Sequence, residues 1–323
     1  MALPPAISVI IPTCYRPELV IDCITSILQN DFTDFEILVV DQDPAKTLKT
    51  KLLYKFGDEP RILYFFLEVA ALDCARNMGI DYARGQIIVF ADDDVEVDKG
   101  WLRAYVDAFS IQPAPGIVGG CLEPLWLHPK PEWLPEERAY VLGIYNNNNC
   151  DKLVPMPDSD LPIGANFAVL REVIDKVGRF DERLDYSYSR KASMLSGGDS
   201  LFALKVKQAN YTIHYQPAAR AWHKISEKKL NIKYFLKRNY WEGVTLLAVL
   251  YLSGCVHRDS AFSIIQWHTK AIVSQVWCLL FPKAPREDKV IHSKTLMRTL
   301  SECVSSAGVI YSAVKLSLTG QLP

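Results

Sequence analysis

Three consecutive carboxylates, Asp92, Asp93 and Asp94, stand directly behind the apolar run Gln86–Ala91 (QIIVFA). In an extended segment side chains two apart share a face, which predicts Asp92 and Asp94 on one side and Asp93 on the other. Two carboxylates on one side repel each other unless a cation sits between them. An all-oxygen site of this kind suits Mg²⁺ or Mn²⁺, ions that commonly bridge to phosphates. Asp is also common in helix caps and solvated loops. Three in a row behind a buried strand favour the cation reading.

Other candidates stand at comparable places. Asp41 and Asp43 follow the run Glu36–Val40 in VVDQDP, where Asp41 can accept hydrogen bonds from a nucleobase or ribose, or close an Asx turn. Gly197-Gly198-Asp199-Ser200 combines two glycines that permit close backbone approach with a carboxylate. Asp199 fits two roles, general base for an attacking hydroxyl or N-cap of the following helix. His223 ends the segment YQPAARAWH, where a neutral imidazole can complete a cation's coordination beside Asp94 or simply lie at the surface.

The elements that must hold these groups alternate. Ala6–Ile11, Glu36–Val40, Arg61–Phe66 and Gln86–Ala91 read as short buried strands. Helical patterns at Pro17–Gln29, Pro44–Tyr54, Ala70–Ala83 and Asp98–Phe109 separate and follow them. This rhythm predicts an α/β fold with a mostly parallel central sheet and flanking helices, in which ligands bind at the carboxyl ends of the strands. Gly116–Leu122, Leu161–Leu170 and Tyr211–Gln216 read as further strands, Leu125–Pro135 as a Trp/Pro-rich loop, and Arg171–Val177 as a helix. A helix opens at Gly197-Gly198-Asp199 and runs to about Ala209, and from Leu230 onward the pattern is helical. The expected division is 1–223 for the site-bearing domain and 224–323 for a helical C-terminal extension.

Composition narrows the function classes. The chain has 323 residues, 49% hydrophobic and 23% charged, with a net charge of −1, which argues for a globular fold and against a surface that wraps nucleic acid. From Lys224 onward 14 Lys and Arg face 6 Asp and Glu, a net of +8 behind a body of net −9. Such a basic final third suits either contact with phosphates or anionic lipid, or a solvated helical surface. The eight cysteines are scattered with no zinc or redox spacing, so reduced thiols and a cytoplasmic setting are expected. No apolar stretch reaches the ~20 residues of a membrane span, and the start of the chain reads as a strand, not a signal peptide. The chain lacks G-x-G-x-x-G behind its first strand, the P-loop, H-E-x-x-H and G-x-S-x-G, which removes the usual signatures of hydride transfer, P-loop hydrolysis, zinc proteolysis and serine hydrolysis.

The ordered set Pro12-Thr13 with Arg16, Asp41, Ala75-Arg76-Asn77-x-Gly79, Asp92-x-Asp94, Trp101-Leu102, Gly164-Ala165-Asn166-Phe167-Ala168, Gly178-x-Phe180-Asp181-Glu182 and Gly198-Asp199 resembles the family 2 glycosyltransferases. The resemblance covers about residues 6 to 223. It implies a GT-A fold and inverting transfer from a nucleotide-diphosphate sugar, a UDP-sugar favoured, to a hydroxyl of a polysaccharide, glycan or lipid-linked saccharide. By that analogy Pro12, Thr13 and Arg16 line the nucleotide pocket and Asp41 holds the base. Asp92 lies on the ribose side, with Asp93 and Arg76 also counted in the donor site. Asp94 and His223 bind Mn²⁺ or Mg²⁺, and Asp199 is the catalytic base. Gln42-Asp43-Pro44 and Glu68-Val69 depart from the family's usual turns, both around the donor pocket.

Three other readings compete: a nucleotide-sugar binding protein without catalysis, a nucleotidyltransferase, and a membrane-peripheral scaffold. Asp199 speaks against the first, the glycine-poor turn Pro12–Arg16 against the second, and the Asp cluster against the third. In the tail, Ile264, Ile265, Trp267, His268, Ile272, Val276 and Leu279–Phe281 follow a spacing compatible with one helix face. That face suits packing on the catalytic body or a helix lying in a membrane interface, which would put the protein at the inner face of the cell membrane.

Overall fold

The apolar runs of the first half become strands buried on both faces, because helices cover the sheet above and below. β1 (Ile7–Thr13), α1 (Pro17–Leu28), β2 (Phe35–Asp41), α2 (Thr47–Phe56), β3 (Ile62–Phe66), α3 (Leu72–Tyr82) and β4 (Ile87–Ala91) alternate along the chain. β5 (Val95–Val97), α4 (Trp101–Phe109), β6 (Ile117–Trp126), β7 (Val154–Pro155), β8 (Asn166–Leu170), α5 (Arg171–Val177), α6 (Gly198–Gln208) and β9 (Ile213–Ile225) follow. Three long helices close the chain: α7 (Ile232–Leu252), α8 (Ala261–Leu280) and α9 (Lys289–Thr319). The computed structural model describes residues 3–147, 150–184, 194–280 and 289–322, without the side chains of 278–280 and 289–292. The expected helix-face positions Leu279–Phe281 therefore lie outside the described side chains.

The sheet order is β3-β2-β1-β4-β8-β6-β9-β5, with β7 on β9. β3, β2, β1 and β4 run parallel, and β8 pairs antiparallel to β4. Alternation sorts the strand residues between two cores. Ile7, Val9 and Ile11 join Val39 and Val89 under α1 and α4, whereas Ile10, Leu38, Ile88 and Phe90 pack with α5 and α6. One polar pair interrupts this apolar sheet and is satisfied within it: Ser8 donates to Glu36 at 2.7 Å, and Arg84 Nε donates to Glu36 at 2.8 Å. Since β1 lies between β2 and β4, the carboxyl ends of these three strands form a topological switch point, where α/β sheets bind ligands.

Two sequence expectations need correction. β9 does not stop at Gln216 but runs to Ile225. Its Pro217 falls between the stretch paired with β7 (His214, Tyr215) and the stretch paired with β5 (Ala221 to His223). The strand expected over Leu161–Leu170 is shorter, Asn166–Leu170, because Pro162 and Gly164 keep the preceding residues irregular.

The described residues divide into two compact units. One comprises, of the described residues, 3–125, 145–147, 150–184 and 198–224 and contains the sheet. The other comprises, of the described residues, 126–144, 194–197, 225–280 and 289–322. In this second unit α7 and α9 approach closely at two glycines. A Cβ on Gly243 would strike the Ser305 carbonyl, and one on Gly308 the Tyr240 carbonyl. Phe235, Leu134, Val141, Leu142 and Met297 form its core near the start of α7, where Arg138 Nε donates to Asn239 at 2.9 Å. Among the described residues no helix is long and apolar enough to cross a membrane.

Candidate active site

β1 delivers Thr13 to the switch point, and the turn behind it returns Arg16 toward the acidic segment. Tyr15 holds φ +60 in that turn, and Pro17 opens α1 directly after Arg16. Thr13 Oγ1 donates to Asp93 Oδ2 at 2.7 Å. Arg16 spans two carboxylates, with Nη2 2.7 Å from Asp93 Oδ1 and Nη1 3.1 Å from Asp94 Oδ2. Asp92–Asp94 is therefore a turn between β4 and β5 and not an extension of β4, and the expected alternation of faces fails there. Asp93 and Asp94 share Arg16, while Asp92 turns toward Arg76, whose Nη2 lies 3.6 Å from Asp92 Oδ1. Asp93 is fully buried and engaged by Thr13 and Arg16. Burial raises its carboxyl to about 7 against the opposing pull of Arg16.

His223 reaches Asp94 through a strand pairing. β5 and β9 run antiparallel with Val95 opposite His223, and the Lys224 amide donates to the Asp94 carbonyl at 2.8 Å. This puts His223 Nε2 3.2 Å from Asp94 Oδ1. Lys224, next in the strand, meets Asp22 at 2.6 Å and Glu96 at 2.9 Å, which fastens β9 to α1 and β5.

A second charge cluster centres on Arg76, buried in α3. Its Nη1 donates to Asp73 Oδ1 at 3.0 Å and its Nη2 to the Gly164 carbonyl at 3.2 Å. Burial works against the guanidinium charge, but Asp73, Asp92 and Asp199 outweigh it and hold Arg76 above its ordinary value. Asp199 lies in the first turn of α6. Since α6 begins at Gly198, Asp199 is inside the helix and not its N-cap. Its Oδ2 accepts from the Gly164 amide at 2.8 Å and its Oδ1 from the Ser200 amide at 2.8 Å. Two glycines make room for this cluster. A Cβ on Gly164 would lie 2.5 Å from Arg76 Nη2 and 2.6 Å from Asp199 Oδ2, and one on Gly198 would fall within the Asp73 carboxylate.

Asp41 ends β2 and closes an Asx turn, with Oδ1 accepting from the Asp43 amide at 2.9 Å and Oδ2 from the Tyr64 hydroxyl at 2.9 Å. Burial raises its carboxyl, and these hydrogen bonds oppose the rise. Pro12 is buried in β1 opposite Val40. Beside these groups, burial and the neighbouring Asp43 and Asp41 push the Cys14 thiol up to about 11.

The family model for glycosyl transferase family 2 matches residues 8–178, more than half of the chain. The chain belongs to that family. It is an inverting glycosyltransferase that moves a sugar from a nucleotide-diphosphate sugar to a hydroxyl acceptor. It is 23% identical over 231 residues to a glucosyl-dolichyl phosphate glucuronosyltransferase of Haloferax volcanii, covering 71% of each chain. It is 33% identical over 120 residues to the GalNAc(5)-diNAcBac-PP-undecaprenol beta-1,3-glucosyltransferase of Campylobacter jejuni, covering 36% of this chain and 38% of that one. A solved mannosyltransferase of Pyrobaculum calidifontis, in complex with GDP-Man and Mn²⁺, superposes with a TM-score of 0.55 at 15% identity. That match covers 100% of this chain and 78% of the other. GalNAc-T7 with UDP, GalNAc and Mn²⁺ gives a TM-score of 0.53 at 16% identity over 76% of this chain and 52% of that one. These likenesses show the GT-A fold.

Several motif residues of the glycosyltransferase are scaffold. Asn166 Oδ1 accepts from Trp101 Nε1 at 2.8 Å and Tyr105 Oη at 2.7 Å, and its Nδ2 donates to the Cys121 and Ala219 carbonyls. One buried amide thus ties α4, β6 and β9 to β8. Asn77 does the same for the Phe180 turn, exchanging hydrogen bonds with the Phe180 amide and carbonyl. Two contributors to the site escaped sequence reasoning. Asp73 is the closest partner of Arg76, and its signal was the i, i+3 spacing to that arginine on a helix. Tyr64, which holds Asp41, left no local signal, since it arrives from β3 across the sheet.

Proposed function

We propose that this glycosyltransferase takes a UDP-sugar, holds Mn²⁺ or Mg²⁺ through Asp94 and His223, and uses Asp199 as its base. Its acceptor is a glycan or lipid-linked saccharide at the inner face of the cell membrane. Residues 1–223 carry the chemistry, and the basic region 224–323 makes the peripheral membrane contact. The observation that carries this reading is the meeting, around one switch point, of the Asp94–His223 pair with a separately held carboxylate, Asp199.

The donors present fit a divalent cation. Two ligands at right angles, each about 2.1 Å from an octahedral ion, stand about 3 Å apart. Asp94 Oδ1 and His223 Nε2 are separated by 3.2 Å, and on the same turn Asp92 Oδ1 is buried without a hydrogen-bond partner. No group of three or more His, Cys, Asp or Glu among the described residues is gathered for one ion. Asp94 and His223 would hold such an ion together with the diphosphate of the donor, as is usual for Mg²⁺ at phosphate substrates. A cation bound there supplies the charge that stabilises the departing diphosphate.

The protein's own groups do the rest. In this reading the Asp41 carboxylate accepts an N–H of the base, and Arg76 adds fixed positive charge beside Asp92. Asp199, oriented by the Gly164 amide, takes the proton of the acceptor hydroxyl as its oxygen bonds to the anomeric carbon. The bond from that carbon to the diphosphate oxygen breaks on the opposite face, and its electron pair leaves with the nucleotide. Two relatives carry names that refer to dolichyl phosphate and to undecaprenol, which supports a lipid-linked acceptor.

The test is donor hydrolysis across a panel of nucleotide sugars with Mn²⁺, Mg²⁺ or EDTA, on wild type and Asp94→Ala. Metal-dependent turnover of one UDP-sugar, lost in Asp94→Ala, is the expected result. Turnover untouched by EDTA or by the substitution overturns the cation assignment, and turnover of a different nucleotide overturns the choice of UDP.

A further inference from the structure

From the second unit we infer that the outer face of α8 is the surface that lies in the membrane, with its aromatic side chains at the acyl–headgroup boundary and its axis parallel to the bilayer. The inference deepens the peripheral membrane contact proposed above by naming the helix face and the lipid chemistry it fits.

α8 is two-sided. Ala261, Ile264 and Ile265 pack against Leu247, Val309 and Ala313. The opposite half of the helix is exposed at positions 262, 263, 266, 267, 269, 270, 273, 274, 276 and 277, an arc of about half the helix, where Ser263, Gln266, Thr269 and Ser274 are the uncharged polar members. A solvated helix would carry charge there. Instead the face presents Phe262 (69% exposed), Trp267 (65%), Val273 (63%), Trp277 (62%) and Val276 (41%). Large apolar side chains grouped on one surface mark a contact site, whereas single ones need no explanation. Trp267 and Trp277 lie ten positions apart, about 15 Å along the axis and about 80° around it, so a helix lying flat with its exposed arc downward turns Trp277 into the surface and Trp267 along its edge.

Charge selects the occupant. α8 contains no Asp or Glu, and the only full charge on its exposed face is Lys270, midway along the helix. The region from Lys224 onward carries a net of +8. Aromatic side chains around a single lysine and free of anions, on a helix within a net-basic region, suit an anionic lipid surface. A second copy is disfavoured by the same residue, because a two-fold contact centred on α8 sets Lys270 against its own copy. No described helix is apolar and long enough to span, so the helix lies on the bilayer and does not cross it.

The experiment is vesicle flotation of the full chain with phosphatidylcholine alone or mixed with phosphatidylglycerol. It compares wild type, the triple variant Trp267→Gln/Val273→Gln/Trp277→Gln, and the variant Lys228→Gln/Lys233→Gln/Lys237→Gln, whose lysines are exposed outside α8. Wild type should float with the anionic vesicles. The α8 variant should lose on the order of 100-fold in partitioning, and the lysine variant severalfold. Unchanged donor binding and thermal midpoint show that the α8 variant is folded. As a second readout on the native protein, brominated-chain lipid should quench tryptophan emission. Flotation of the α8 variant equal to wild type overturns the inference while leaving a lysine-driven membrane contact intact. No flotation of wild type, or no quenching, overturns it. A wild-type dimer in light scattering that the α8 variant converts to monomer, without vesicle binding, assigns the face to a second copy and overturns it also. Donor hydrolysis is read separately, so failure here is distinct from failure of the glycosyltransferase reading.

Discussion

Arg16 and Arg76 each face several carboxylates in the catalytic half, and they are built in opposite ways. Arg16 rises from a tight turn, its side chain 34% exposed, and lays two nitrogens on Asp93 and Asp94. Arg76 stands in α3 with its side chain 4% exposed, held by Asp73, the Gly164 carbonyl and Asp92. Water and an incoming diphosphate can compete for an exposed guanidinium, so Arg16 is an exchangeable partner of the cation-side carboxylates. A buried guanidinium has no such alternative. Arg76 is a fixed counter-charge around which Asp73, Asp92 and Asp199 are arranged. The two arginines thus differ in how far the surrounding structure fixes them, 34% against 4% side-chain exposure.

The strongest challenge to this comparison is Asp199→Asn. The amide keeps an acceptor for the Gly164 N–H but cannot take a proton, so kcat should fall on the order of 1000-fold while donor affinity stays within about twofold. Steady-state transfer with donor affinity from calorimetry checks both. A loss confined to KM would show that Asp199 only positions the donor.

Next is Arg76→Met, which leaves three acidic groups around a buried neutral side chain. It should destabilise the fold by about 3–5 kcal/mol, as removing one member of a buried charge cluster does. Denaturant unfolding measures it. A cost below about 1 kcal/mol would mean that the cluster is wet and that Arg76 resembles Arg16.

Gly198→Ala tests how tightly the Arg76 cluster is packed. Its Cβ would fall within the Asp73 carboxylate, and a displaced Asp73 loosens its bond to Arg76. Overpacking of this kind costs about 1–3 kcal/mol. A thermal midpoint equal to wild type would show that the carboxylate moves aside freely.

How far the sequence carries the reader follows the same division. The parallel strands were legible because burial on both faces writes them as runs that are apolar but for the paired Ser8 and Glu36, such as ISVII and EILVV. Asp92, Asp94 and His223 were legible as residue types at strand ends. Their meeting was not, since it depends on β5, a three-residue strand inside an acidic stretch, pairing with the part of β9 that lies beyond Pro217. The turn at Asp92–Asp94 was misread for a related reason. Alternation holds only while the ladder continues, and β4 ends at Ala91. The segment 126–144, expected in part as loop, supplies Leu134, Val141 and Leu142 to the core of the second unit, where Trp133 meets Phe235 at 5.4 Å. No periodicity announces that, because a 3-10 helix over Glu136–Leu142 has neither the strand nor the α-helix repeat.

Arg16→Met gives the smallest effect on stability and the sharpest contrast. The guanidinium is one-third exposed but Asp93 is buried, so its loss costs about 1 to 2 kcal/mol, less than at Arg76, because Asp93, already raised to about 7, takes up a proton in place of the lost charge. Asp93 keeps its hydrogen bond from Thr13, and Asp94 keeps His223 beside it, so neither carboxylate is stranded. The loss should instead fall on the donor. If Arg16 passes from Asp93 and Asp94 to the diphosphate on binding, the variant's donor KM rises about tenfold, the worth of one charge-assisted contact, with kcat little changed. If Arg16 remains a structural clamp, KM stays at the wild-type value and the thermal midpoint falls as steeply as in Arg76→Met. Measuring both numbers on both variants therefore decides whether the two arginines divide the labour, one yielding to substrate and the other never moving.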